Sequence, residues 1–279
     1  MNFYKTALTR GTMGNIKFLI IIVLLIIFSS CESIINSLAF YPDTDYNVKS
    51  ENLPSYIEPF MLSTSDGIKL ESLYFHHIKR SPKIVIYFHG NAGNLYSRIG
   101  EASVIYNMGY DIIISGYRGY GRSTGEPSEN GIYIDGRTVL DYVTTALNYK
   151  PGMIYIYGRS IGTTVAVEIS QNIPFGGVIL ITPFTSARDL IKEKYPDIFA
   201  GIGGNHFQSI NKIVNLKSAV LVIHGTDDEI IPYDLGVKLY EAYPGTKRFI
   251  SITGGSHNDL EFINPVLYWG SVKSFIEGK

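Results

Sequence analysis

The sequence predicts an α/β fold, a mostly parallel sheet of eight strands with helices on both faces. Three observations carry this. Short, isoleucine-rich apolar runs alternate with helical stretches from residue 60 onward. Most of those runs are apolar on both faces, as strands buried inside a parallel sheet are. A chain of 279 residues that is 45% apolar can also fill one large core.

The first element is a hairpin. Phe60–Ser63 and Lys69–Phe75 flank Ser65-Asp66-Gly67, and Asp-Gly between extended runs favours a tight turn. Further strands follow at Ile84–Phe88, Asp111–Ser115, Met153–Tyr157, Val178–Ile181, Ala219–Ile223 and Arg248–Ile252. Helices are predicted over Leu95–Asn107, Gly131–Asn148, Ile161–Gln171, Tyr233–Ala242 and Pro265–Ile276. A strand–helix repeat joined by right-handed crossovers builds one sheet, so residues 60–279 form one domain. Thr182–Lys217 interrupts the repeat with Pro183, Pro196, Gly201, Gly203 and Gly204. It is too long for an ordinary connection and reads as a short lid.

The residues before the domain carry an address. Met1 to Lys17 contains Lys5, Arg10 and Lys17 and no acidic residue. Phe18–Phe28 is then unbroken apolar, followed by Ser29-Ser30-Cys31. Basic, apolar, small is the order of a secretory signal peptide. The apolar run is shorter than the roughly 18 residues a spanning helix needs. Small residues before the single cysteine resemble a bacterial lipobox, with Phe28 where leucine is usual and Met13 as an alternative start. Residues 1–31 are therefore expected to be a signal peptide, with Cys31 the site of lipid attachment and the protein held to a membrane facing the periplasm or cell surface. An uncleaved anchor, or an ordinary buried cysteine after a plain signal peptide, is the competing reading. Residues 32–59 are expected to be a tether and lead-in.

Charge excludes some partners. With 24 basic and 25 acidic residues, net charge −1, there is no footprint for nucleic acid. One cysteine excludes an internal disulfide and a cysteine zinc cluster, and no glycine-rich loop matches a nucleotide fingerprint in context. No metal or organic cofactor is implied.

The chemistry centres on Gly158-Arg159-Ser160-Ile161-Gly162, directly after a predicted strand and before a predicted helix. Gly-x-Ser-x-Gly in that setting is a nucleophile elbow: the serine sits on a strained turn, with glycines where a Cβ would collide. A serine hydroxyl needs a base, and the fold requires the order serine, acid, histidine at later strand ends. Of six histidines, His257 follows the last strand in a Gly-Gly-Ser-His-Asn-Asp loop, where the base belongs. His76, His77 and His206 fall in the hairpin and lid, and His89 and His224 each close a strand before a glycine. For the acid, Asp227, Asp228 and Glu229 stand in a row after Ala219–Ile223. Asp228 is the first choice, four residues past His224, and Asp227 the alternative.

The oxyanion hole needs two backbone donors. Ile161 N–H supplies one, being the residue after the nucleophile. The second comes from His89-Gly90-Asn91-Ala92-Gly93-Asn94, with Asn91 N–H the first choice and Ala92 N–H the second. His89 is expected to buttress that loop. Arg118, in the Gly116–Gly125 loop, is expected to brace it through an ion pair with Asp135 or Glu126; contact with a substrate carboxylate or phosphate is the other reading.

Together with Gly116-Tyr117-Arg118-Gly119-Tyr120-Gly121-Arg122-Ser123, these motifs resemble one subfamily of the α/β-hydrolase superfamily. It is the membrane-associated "alpha/beta hydrolase domain-containing" group, which includes protein depalmitoylases and, among bacterial relatives, serine aminopeptidase-like hydrolases. The resemblance spans about Phe60 to Ile276 and implies Ser160, Asp228 and His257 as a catalytic triad. The cysteine-rich N-terminal segment of the depalmitoylases is absent. The expected activity is hydrolysis of acyl esters or thioesters, of small or lipid-like molecules, through an acyl-serine intermediate. A peptidase using Asp189, Glu193 or Asp197 for a free α-amine, and a non-catalytic surface binding protein, are the alternatives.

Overall fold

The computed structural model describes residues 35–44, 52–196, 201 and 203–279. The predicted signal segment and Cys31 lie outside them, as do residues 32–34 and 45–51 of the predicted tether. The chain divides into two compact units, Met1–Ala39 and Phe40–Lys279. Of the first, residues 35–39 form a short helix. Among the described residues, no helix is long and apolar enough to cross a membrane.

The second unit begins with a short strand, β1 (Tyr41–Pro42). The hairpin strands β2 (Ile57–Ser63) and β3 (Lys69–Phe75) follow, then β4 (Ile84–Phe88) and the two-residue β5 (Ala92–Gly93). Helix α1 (Ile99–Asn107) leads to β6 (Asp111–Ser115), and α2 (Glu129–Asp141) to β7 (Ile154–Arg159). Next come α3 (Gly162–Ile169), β8 (Gly177–Ile181), and the short helices α4 (Ala187–Lys194) and α5 (Ser209–Lys212). The chain ends with β9 (Val220–Gly225), α6 (Tyr233–Ala242), β10 (Lys247–Ile252), α7 (Leu260–Ile263) and α8 (Pro265–Glu277).

Eight strands form the main sheet in the order β10-β9-β8-β7-β4-β6-β3-β2. β3 is antiparallel to both β2 and β6, and the other pairings are parallel. β4, β6 and β8 are buried at every residue, which is why they read as unbroken apolar runs rather than alternating ones. Alternate side chains of the inner strands, among them Tyr87, Tyr157, Ile179 and Leu221, build one core with Ala102 and Ile105 of α1 and Tyr268, Val272 and Ile276 of α8. Helices α2 and α3 pack on each other and against β4.

Several boundaries shift for local reasons. β2 starts at Ile57, three residues before the predicted Phe60, because Ile57 pairs with Phe75 at the end of β3. α2 starts at Glu129, where the Ser128 hydroxyl accepts the Gly131 N–H at 3.1 Å, and gives way at Tyr142 to a π turn. The predicted helix at Leu95 opens as a 3-10 turn over Leu95–Arg98 under an Asn94 cap. In the predicted lid, buried Phe207 packs edge-on against Phe184 and Phe40. Its N–H and His206 Nδ1 both donate to the Glu129 carboxylate, at 2.8 and 3.0 Å, which ties this segment to the start of α2.

Parallel strands send all their C-terminal ends to one edge of the sheet. The loop after β4, the turn after β7 and the loops after β9 and β10 therefore open on the same side, where sites in open α/β sheets form.

Candidate active site

Ser160 lies between β7 and α3 with φ of 54°, a left-handed conformation rare for a residue with a side chain. The close packing around it explains the glycines. A Cβ on Gly162 would stand 2.1 Å from the Phe88 carbonyl oxygen, and one on Gly158 2.5 Å from that of Gly162. The Ser160 N–H donates to Ile181 O at 2.9 Å, holding the turn against β8.

The turn aims Ser160 at the last loop. Its Oγ lies 3.1 Å from His257 Nε2, and His257 Nδ1 lies 2.8 Å from Asp228 Oδ2. All three residues are buried, with exposures of 7%, 5% and 8% in the order Ser160, His257, Asp228. The other carboxylate oxygen of Asp228 accepts the N–H groups of Ile230 and Ile231 at 2.9 and 2.7 Å. Burial alone would raise the Asp228 carboxyl. Hydrogen bonds from His224 and His257, the His257 charge and the Ile231 N–H outweigh it, and Asp228 is held well below the usual carboxylate range. An ionised acid at Nδ1 fixes the imidazole so that Nε2 can take a proton from the serine.

The neighbouring carboxylates are used differently. Asp227 accepts from the Thr226 hydroxyl at 2.8 Å on the exposed side, while Glu229 Oε2 accepts the backbone N–H of His257 at 3.3 Å. Of the row of three, Asp228 alone meets the imidazole. His224 adds a contact that strand-end reading missed. Its Nε2 lies 3.0 Å from the Ile231 carbonyl and 3.3 Å from Asp228 Oδ2. Both are acceptors, so Nε2 carries the proton.

The loop after β4 closes over the serine. A Cβ on Gly90 would lie 3.6 Å from Ser160 Cβ. His89 is fully buried, its Nδ1 donates to the Gly90 carbonyl at 2.7 Å, and burial pushes its pKa down to about 3, so the ring is neutral at physiological pH. This is the buttress expected of it. Ile161 N–H stands at the N-terminal end of α3, where the first N–H groups of a helix have no partner within it.

The chain as a whole is similar to known proteins. A family model described as alpha/beta hydrolase fold matches residues 83–209. An uncharacterized protein of Mycobacterium tuberculosis is 31% identical over 218 residues, covering 77% of this chain and 78% of that protein. Alpha/beta hydrolase domain-containing protein 17B of Xenopus laevis is 31% identical over 225 residues, 79% of this chain and 75% of that protein. The chain belongs to the α/β-hydrolase family. Among solved structures, the Pyrococcus furiosus esterase Pf2001 matches this α/β hydrolase with a TM-score of 0.70 at 18% identity, over 86% of this chain and 98% of that one. An alpha-beta hydrolase from Vibrio vulnificus matches with a TM-score of 0.64 at 22% identity, over 81% and 83%. At these identities the likeness is one of fold.

Two arginines brace the candidate site. Arg118 binds Asp135 with Nε and Nη2, the latter at 2.8 Å, and reaches Asp66 in the hairpin turn with Nη1, also at 2.8 Å. The ion pair with Asp135 is the structural one expected; Glu126 is not its second partner, because the turn at Asp66 reaches the guanidinium first. The Arg118 hydrogen bond holds the Asp66 carboxyl down at about 2.

The second arginine is Arg159, the variable residue of the elbow. Its buried Nη1 lies 3.3 Å from Glu101 of α1 and 3.1 Å from Glu261 of α7, and its Nη2 donates to the His257 carbonyl at 3.4 Å. The hydroxyls of Tyr87 and Tyr157 also donate to Glu101. One side chain thus links the Ser160 turn, the helix after the β4 loop and the His257 loop. Nothing in a five-residue motif signals such partners.

Proposed function

We propose that the protein is a serine hydrolase that cleaves acyl esters or thioesters through an acyl-serine intermediate. The observation that carries this is the hydrogen-bonded chain Ser160 Oγ–His257–Asp228, with separations of 3.1 and 2.8 Å. In this reading Ser160 Oγ bonds to the acyl carbon while its proton passes to His257 Nε2. The N–H groups of Asn91 and Ile161 hold the oxyanion. The bond from acyl carbon to the leaving oxygen or sulfur then breaks, and the leaving group takes the proton from Nε2. Water gives a proton to the same nitrogen, its oxygen bonds to the acyl carbon, and the acid departs as Ser160 Oγ regains its proton. Membership of the α/β-hydrolase family supports the same assignment.

A peptidase acting on N-termini needs a carboxylate for the free α-amine. Asp189 accepts from Thr185 Oγ1 at 2.6 Å and Glu193 pairs with Lys238 at 2.9 Å, so both already hold partners; Asp197 lies outside the described residues. The ester reading therefore leads. A panel of p-nitrophenyl esters of increasing chain length, run beside aminoacyl p-nitroanilides, tests it. Turnover of esters is expected. Turnover of anilides alone would transfer the site to peptide chemistry.

A further inference from the structure

The short strand β1 lies outside the main sheet and pairs, in parallel, with β5 in the loop beside Ser160: Tyr41 stands opposite Ala92, and Pro42 opposite Gly93. Tyr41 N–H donates to Asn91 O at 3.0 Å, and Asp43 N–H to Gly93 O at 3.1 Å. The same Asn91 oxygen accepts the Tyr120 hydroxyl at 2.6 Å. Asp43 O in turn accepts the Gly121 N–H at 3.0 Å, so the strand is tied to the body on its far side as well.

The peptide group makes these bonds consequential. It is planar and trans, so its C=O and N–H point in opposite directions. The Gly90 carbonyl, held by His89 at 2.7 Å, fixes the direction of the Asn91 N–H. The Asn91 carbonyl, held by Tyr41 N–H and the Tyr120 hydroxyl, fixes the direction of the Ala92 N–H. Both peptide planes flanking Asn91 are therefore pinned: that of the Asn91 N–H from within the core, and that of the Ala92 N–H partly from β1. The strand thus acts on the Ala92 N–H directly and on the Asn91 N–H through the Asn91 backbone between the two planes. Donors to an oxyanion act best when they stand in place before the charge develops.

We infer that residues 41–43 form a strap that positions the oxyanion loop, making the segment before the sheet a working part of the active site. This rests on Ser160 being the nucleophile. Tyr41 and Asp43 are positioning residues through their backbone N–H groups, and the Tyr41 side chain, 53% exposed, takes no part.

The test uses the full chain. Tyr41→Pro and Asp43→Pro each delete one N–H while keeping the carbonyl, and proline is tolerated in an edge strand. Thr44→Pro, one residue outside the pairing, controls for chain stiffening. Both strap variants are expected to lower kcat on p-nitrophenyl esters by about 10- to 100-fold, below the roughly 100- to 1,000-fold of losing an oxyanion donor outright. KM and Tm should stay near the wild-type values, because the interaction is one made in the transition state. Thr44→Pro should match wild type. If Tyr41→Pro melts early, Asp43→Pro decides. Strap variants with kcat within about twofold of wild type would overturn the inference, as would a kcat loss equalled by Thr44→Pro. Wild-type protein inert to esters would instead sink the serine-hydrolase reading, so the two failures are distinguishable.

Discussion

Asp228→Asn is expected to lower kcat/KM by about 1,000- to 10,000-fold. The surroundings of the carboxylate dictate how. The N–H groups of Ile230 and Ile231 converge on Oδ1 and require an acceptor there. An asparagine must therefore turn its oxygen to the backbone and its NH2 toward His257 Nδ1. A donor facing Nδ1 reverses the imidazole tautomer, placing the proton on Nε2, opposite Ser160 Oγ, where no base then remains. His224 Nε2, also a donor, would face the same NH2 and add a stability cost. That cost has a defined pH dependence. The native carboxyl is held well below the ordinary value, so its contribution to stability is fully present above about pH 4 and is lost progressively as pH falls below that, toward the lowered folded value. The Tm gap between wild type and variant should narrow on acidification. Steady-state kinetics at neutral pH check the first effect, and retention of activity within tenfold would contradict it.

Arg159→Met is expected to destabilise the fold by about 3–5 kcal/mol, the range for removing one member of a buried ion pair. Glu101 and Glu261 keep only 8% and 13% side-chain exposure, and the guanidinium is the cation between them. Burial alone would raise Glu101, but Arg159 and the hydroxyls of Tyr87 and Tyr157 outweigh it and lower its pKa. In Arg159→Met, with only the two hydroxyls and the more weakly acting Arg98 left to oppose burial, the balance is expected to reverse. A carboxyl whose folded pKa is raised stabilises below its unfolded value and loses that contribution as pH rises, so this variant should be more stable near pH 5 than near pH 8. Chemical denaturation at both values measures the loss and its slope. Exchanging Glu101 and Glu261 for glutamine in the same protein should recover much of it. A loss under about 1 kcal/mol would mean that the three charges are not mutually dependent.

What was legible from the residues follows from how local each signal is. The succession of strands along the chain and the turn that carries Ser160 were readable because apolar runs, the Asp-Gly turn and the Gly-x-Ser-x-Gly turn each act within a few residues. Asp228 was readable from its spacing to the strand end, though only the backbone donors of Ile230 and Ile231 explain why it, rather than Asp227, faces the imidazole. Arg159 was opaque because its second carboxylate partner is 102 residues away. The Arg118 ion pair with Asp135 was anticipated, but Asp66 was already assigned to a turn and its second role went unseen. β1 escaped notice because two residues, one of them proline, show no alternation and bury no side chain. Its partner loop also reads as a site motif, not as a strand.

An activated Ser160 should bond to a fluorophosphonate probe. At neutral pH the wild-type protein is expected to gain one adduct, carried on the peptide containing Ser160, while Ser160→Ala, folded to the same Tm, gains none. A wild-type protein that stays unlabelled, or a Ser160→Ala variant labelled equally well, would mean that Ser160 is not an activated nucleophile.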